Sequence, residues 1–146
     1  MTHLWTSLRN GNLLALVAFT AALAPQVLKA ADGPCPLQNA TLDGTYMSHG
    51  AGTLAGVGPI SAVGTITYDG KGNEVNIFTA SLNGVIYRHA TLTGTYTVNS
   101  DCTGTLSQGG SNYDFVVSPD ASTVFWIESD TGTDFHGTEV RFKHPE

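Results

Sequence analysis

The sequence predicts an all-β domain, an eight-stranded antiparallel up-and-down barrel, on three observations. Beyond Cys35 the chain is dominated by Gly, Thr, Ser, Asn and β-branched residues, and no window keeps apolar residues at helical spacing for three turns. Turn chemistry recurs at short intervals, at Gly56 to Pro59, Asp69 to Asn73, Asn83-Gly84, Asn99 to Asp101, Gly109 to Asn112, Ser118 to Asp120 and Asp130 to Gly132. Seven such turns separate eight strands. Connections this short make a meander, and a meander removes its exposed edges most economically by closing on itself.

The first 30 residues are unlike the rest. Arg9 precedes an uninterrupted apolar or small run from Leu13 to Leu23, then come Pro25 and the small pair Ala30-Ala31. This reads as a secretory signal peptide cleaved near Ala30, since the run is shorter than the roughly 20 residues a membrane span needs. Residues 31–146 then form one domain, long enough to bury a core. They hold four basic residues (Lys71, Arg88, Arg141, Lys143) against all twelve acidic ones, a formal charge of −8. Such a balance repels nucleic acid and anionic membrane surfaces, so neither is expected as a partner. An export signal and two cysteines imply a secreted or periplasmic protein with a Cys35–Cys102 disulfide. Closing so long a loop stabilises the fold by about 4 kcal/mol on a chain-entropy account.

The expected strands run over 43–55, 60–68, 74–82, 85–98, 102–108, 113–117, 123–129 and 134–143. Period-two alternation assigns their inner faces. The second strand turns in Ile60, Ala62, Gly64, Ile66 and Tyr68; the third, Asn76, Phe78, Ala80 and Leu82. In the fourth, Ile86, Arg88, Ala90, Leu92, Gly94, Tyr96 and Val98 oppose a threonine face of Thr91, Thr93, Thr95 and Thr97 and are expected inside. The sixth contributes Tyr113, Phe115 and Val117, and the eighth His136, Thr138, Val140 and Phe142. The seventh is ambiguous, with Phe125 and Ile127 on one face and Val124, Trp126 and Glu128 on the other, so one apolar face is left for solvent or a partner subunit. Gly-Thr recurs at 44, 52, 64, 94, 104, 132 and 137, where glycine permits close backbone approach and threonine restores β preference.

The familiar catalytic patterns are missing from the sequence. The histidines after residue 31 show no metal-ligand spacing, no G-x-S-x-G elbow occurs, and no Gly-rich segment opens a helix to cradle phosphate. No metal or cofactor is implied. Arg88 interrupts an apolar inward face and would need an anionic partner there: Glu128, Glu139 or a ligand carboxylate. Glu128, if buried beside Trp126, would hold its proton more tightly and could act as a general acid or base. Arg88 and Glu128 are thus the candidate catalytic residues. Tyr68, Phe78, Arg88, Tyr96, Tyr113, Phe115 and His136 are the candidate ligand contacts, while Glu139 and Arg141 read as an exposed pair on one strand face.

The segments LDGTY at 42–46, AVGTITYDGKGN at 62–73, LTGTYTVNSDCTGTL at 92–106 and FHGTEVRF at 135–142 resemble a group of small exported bacterial proteins similar to allene oxide cyclase-like and lipocalin-like (calycin) barrels. The resemblance implies an eight-stranded barrel whose interior holds a small apolar molecule, and in some relatives cyclises or isomerises it. It carries no catalytic residue across, because the matching positions are turn and packing residues. Three readings follow: a binder of a small hydrophobic ligand, a cyclase or isomerase working in the cavity, and a structural module joining subunits through the seventh strand.

Overall fold

The computed structural model of the protein describes residues 33–142. The signal peptide expected over 1–30, and Lys143 at the end of the eighth expected strand, lie outside the described residues. Strands β1 (Asp43–Leu54), β2 (Gly58–Asp69), β3 (Asn73–Leu82), β4 (Val85–Val98), β5 (Thr103–Gln108), β6 (Ser111–Val117), β7 (Thr123–Glu128) and β8 (Asp134–Arg141) pair antiparallel in chain order. β1 also pairs with β8, which closes the barrel. The strands lie within two residues of those expected. Among the described residues no helix is long and apolar enough to cross a membrane.

One end of the barrel is sealed by the segment that precedes β1. Cys35 is bonded to Cys102, and its N–H donates to the Ser100 carbonyl at 2.9 Å. A 3₁₀ turn, Gln38–Thr41, follows and brings Leu42 to zero exposure. Asn39 fastens this turn to β4, its Oδ1 accepting the Val98 N–H at 2.8 Å. The segment supplies apolar cover and the backbone partners that a barrel end otherwise lacks.

Above it three tyrosines pack edge to face. Tyr46 and Tyr68 have ring centroids 5.5 Å apart, and Tyr68 and Tyr96 5.0 Å, with near-perpendicular planes in both pairs. Each buried phenol has an acceptor: Tyr46 donates to the Ala121 carbonyl, Tyr96 to the Leu42 carbonyl and Tyr68 to Glu139, at 2.8, 2.8 and 3.0 Å. Ile66, Val98, Leu106, Phe115, Val117 and Val124 complete this core. Strand glycines make room for it: a Cβ on Gly104 would lie 2.2 Å from the Phe115 ring, and one on Gly50 or Gly137 2.5 Å from that of Trp126.

Two expected faces are corrected. In β4 the two-residue turn Asn83-Gly84, with φ of 46° and 84°, has the backbone of a type I′ hairpin and fixes Leu82 opposite Val85 and Ala80 opposite Tyr87. Farther along, Phe78 lies opposite Ala90. The extra residue is absorbed in a bulge at Arg88-His89, with His89 at φ 52°. Alternation therefore reverses at the bulge: Ile86 and Arg88, expected inside, are exposed, while Leu92, Gly94, Tyr96 and Val98 keep the inner face.

In β8 the faces are inverted. Phe135, Gly137 and Glu139 turn inward, and His136, Val140 and Phe142 are exposed. Hydropathy misleads here because space and hydrogen bonding set the register. Gly137 pairs with both Gly50 and Trp126, where only glycine leaves room for the indole, and Tyr68 offers Glu139 a buried donor. Glu139 and Arg141 are accordingly not an exposed pair: Glu139 is 3% exposed, and the Arg141 guanidinium donates to the Asp43 carbonyl and sits over the Tyr46 ring at 5.8 Å.

Replacing both cysteines by alanine should lower unfolding free energy by about 2–5 kcal/mol while leaving the fold intact. Urea denaturation of the paired variant Cys35→Ala, Cys102→Ala measures the loss.

Candidate functional site: the open half of the barrel

Above the tyrosine layer the interior is not filled. A cavity of about 210 Å³ lies there, with Ile66 and Leu106 toward the packed core, Phe78, Tyr113, Trp126 and Phe135 as aromatic walls, and Leu54, Ile60 and Leu92 toward the open end. Small residues create the space, Ser48, Gly50, Ala62 and Gly64 standing where larger side chains would fill it. Tyr113, Trp126 and Phe135 meet edge to face, at 5.7 and 4.9 Å between neighbouring centroids.

Three carboxyl groups face into this barrel. Glu74, Glu128 and Glu139 are 2, 6 and 3% exposed, and Glu128 and Glu139 line the cavity. Burial pushes Glu139 up to about 8; the Tyr68 hydroxyl opposes the shift and the Glu74 charge adds to it. Burial likewise raises Glu74, against the pull of the Gln108 amide, and Glu128, against that of the Ser111 hydroxyl. Tyr113 is pushed up to about 12, chiefly by burial and then by the Glu128 charge. Glu74 Oε1 accepts from Gln108 Nε2 at 2.7 Å, and Gln108 Oε1 accepts from Asn76 Nδ2 at 3.3 Å. Glu74 Oε2, Asn76 Oδ1 and Trp126 Nε1 are buried without a hydrogen-bond partner. Among the described residues no three His, Cys, Asp or Glu side chains gather as a metal site.

The expected site residues divide into three groups. Phe78, Tyr113 and Glu128 line the cavity. Tyr68, Tyr96 and Phe115 are inside but belong to the packed core beneath it. Arg88 is outside because of the β4 bulge, and His136 is outside on β8, where its Nδ1 lies 3.2 Å from Asp134. Arg88 and Glu128 are therefore on opposite sides of the wall, and the pairing on which a cyclase or isomerase reading rested does not form. Glu74, Gln108, Trp126, Phe135 and Glu139 were missed as site residues. For Glu74 the signal was present: it has the parity of Asn76 and Phe78 and sits opposite Gly94, which leaves room for its carboxyl.

No family model, curated protein or solved structure matches the chain. Function is therefore read from the cavity itself.

The buried acids set the pH dependence of stability. Glu139 holds its proton more tightly in the fold than when unfolded, so its contribution is complete below the ordinary carboxyl range and is lost as pH rises through about 8. Asp69 and Asp120 work in the opposite sense. Hydrogen bonds from Asn73 and Lys71, and from Ser118 and Ser122, hold them at about 2, and their contribution is lost as pH falls through that value. The melting temperature should peak at about pH 4–5 and decline toward pH 8. Glu139→Gln should flatten the decline, as calorimetric scans of both proteins across this range would show.

Proposed function

We propose that this chain is an exported, secreted or periplasmic binding protein that holds a small hydrophobic ligand in the open half of its barrel. The observation that carries this reading is the division of the interior: one half is close-packed down to a sealed end, and the other keeps a cavity with four aromatic walls. A barrel that needed only to be stable would gain by filling that space, since empty volume forfeits packing contacts. The buried disulfide suits an oxidising compartment, and the threonine-rich outer face of β4 suits water.

Ala62 lines the cavity, and phenylalanine there would occupy it. Calorimetric titration with benzyl alcohol and hexanol should detect binding to the native protein and a loss of at least about tenfold in Ala62→Phe, which is about 1.4 kcal/mol. Equal affinity in the two proteins, with the melting temperature of the variant unchanged, would count against the cavity as the site.

A second reading is favoured by the outer wall. Met47, Val116, Phe125, Ile127 and Val140 are all about half exposed or more, and Val116 pairs with Phe125, and Met47 with Val140, across neighbouring strands. Such a stripe fits self-association of this chain. Sedimentation should then show dimers that Phe125→Asp converts to monomers; a native protein that stays monomeric at high concentration removes this reading.

A further inference from the structure

The open half of the barrel holds acidic side chains and no basic one among the described residues that line it: Glu128 and Glu139 are there, and no Lys, Arg or His. The guanidinium on the inner face of β8, Arg141, is engaged by the Asp43 carbonyl and the Tyr46 ring. Within this half Gln108 Nε2 donates to Glu74 and Asn76 Nδ2 to Gln108, and two acceptor atoms, Glu74 Oε2 and Asn76 Oδ1, are buried without a partner. The Trp126 indole N–H is also buried there without a partner. The walls are rings whose faces attract cations.

We propose that the ligand is a small primary amine, its ammonium head on the carboxylate of Glu139, beside the buried Glu74 carboxyl, and its apolar body against Phe78, Trp126 and Phe135. This rests on the reading of the barrel as a binding protein and names the chemistry of what it binds. A hydroxyl could satisfy one acceptor. An ammonium brings three donors and a positive charge, which a site with buried carboxyl groups and no cation in its described lining otherwise lacks.

Binding is linked to a proton. Around Glu139 stand the Tyr68 hydroxyl from β2, the Glu74 carboxyl from β3, Ser48 as its cross-strand partner on β1 and the Tyr46 phenol beyond it, with Arg141 next on its own face of β8. None of them supplies a free positive charge, and in the empty barrel burial keeps the Glu139 proton in place up to about pH 8. When R–NH₃⁺ enters below that pH, the carboxyl O–H breaks, its proton leaves to solvent, and a carboxylate–ammonium pair remains.

The test is calorimetric titration of the disulfide-bonded protein with benzylamine and with benzyl alcohol, at about pH 6.5 and 8.5 and in buffers of different ionisation heat. Benzylamine should bind at least about tenfold tighter than benzyl alcohol at the higher pH, weaken at the lower pH, and release close to one proton there. Glu139→Gln keeps an acceptor for Tyr68 and should abolish the proton release and most of the preference for benzylamine over benzyl alcohol. If that variant does not fold, Glu74→Gln, which removes the carboxyl coupled to Glu139, should lower the preference by itself. Benzyl alcohol binding as tightly as benzylamine, with no linked proton, overturns the amine and leaves the hydrophobic cavity standing. Neither compound binding overturns both.

Discussion

The edge-to-face run of Tyr46, Tyr68 and Tyr96 is the constraint on which both ends of the molecule depend. Three large rings from three strands fill the barrel's width at one level, and their perpendicular geometry lets each present an edge to its neighbour's face. A phenol buried there must find an acceptor, and the three find theirs in different directions: toward the turn before β7, toward the sealing segment and toward β8. The same rings that close the core thus fix the plug on one side and Glu139 on the other. The cavity begins where this layer stops.

The sealing segment extends that logic to the covalent level. Cys102 lies in the turn between β4 and β5, and Cys35 in the approach to β1, so the disulfide joins the barrel's midpoint to its start across 67 residues. Asn39 and Tyr96 repeat the connection without a covalent bond, through hydrogen bonds from β4 to the 3₁₀ turn. The segment stays in place because Cys35, Asn39 and Leu42 each have a partner on β4 or in the turn that follows it.

The architecture was legible in the sequence because turns are local. Seven clusters of Gly, Asn, Asp and Pro placed the strands, and chain order placed their neighbours. The facing of β4 was legible in principle as well. Asn83-Gly84 leaves two residues between Leu82 and Val85, which puts Tyr87 opposite Ala80, whereas the run from Ala90 to Val98 alternates in the other phase; the contradiction is a bulge. The inversion of β8 was not legible. Whether Glu139 or Val140 points inward depends on Gly50 and Trp126, on strands far apart in sequence, leaving room at Gly137. Alternation placed Arg88 and His136 inside, the first against the phase shift of the β4 bulge and the second against the inversion of β8, whereas the carboxyls of Glu74, Glu128 and Glu139 are the acidic groups that face inward.

The strands of this barrel are unequal. β1 to β4 run 10 to 14 residues, and β5 to β7 only 6 or 7. The wall is a high half-cylinder facing a low one, and the cavity spans the two, from Leu54 and Ile60 on the tall side to Gly109 and Ser111 on the short side. On the proposed reading as a binding protein, a ligand would enter over the low rim. Substitutions in the Gly109-Gly110 turn would act as a sieve on what gets in and touch none of the groups that hold a guest. Substitutions at Glu139 would change the guest and leave the doorway as it is. Admission and recognition are separable in this chain, and a lineage could alter one without the other.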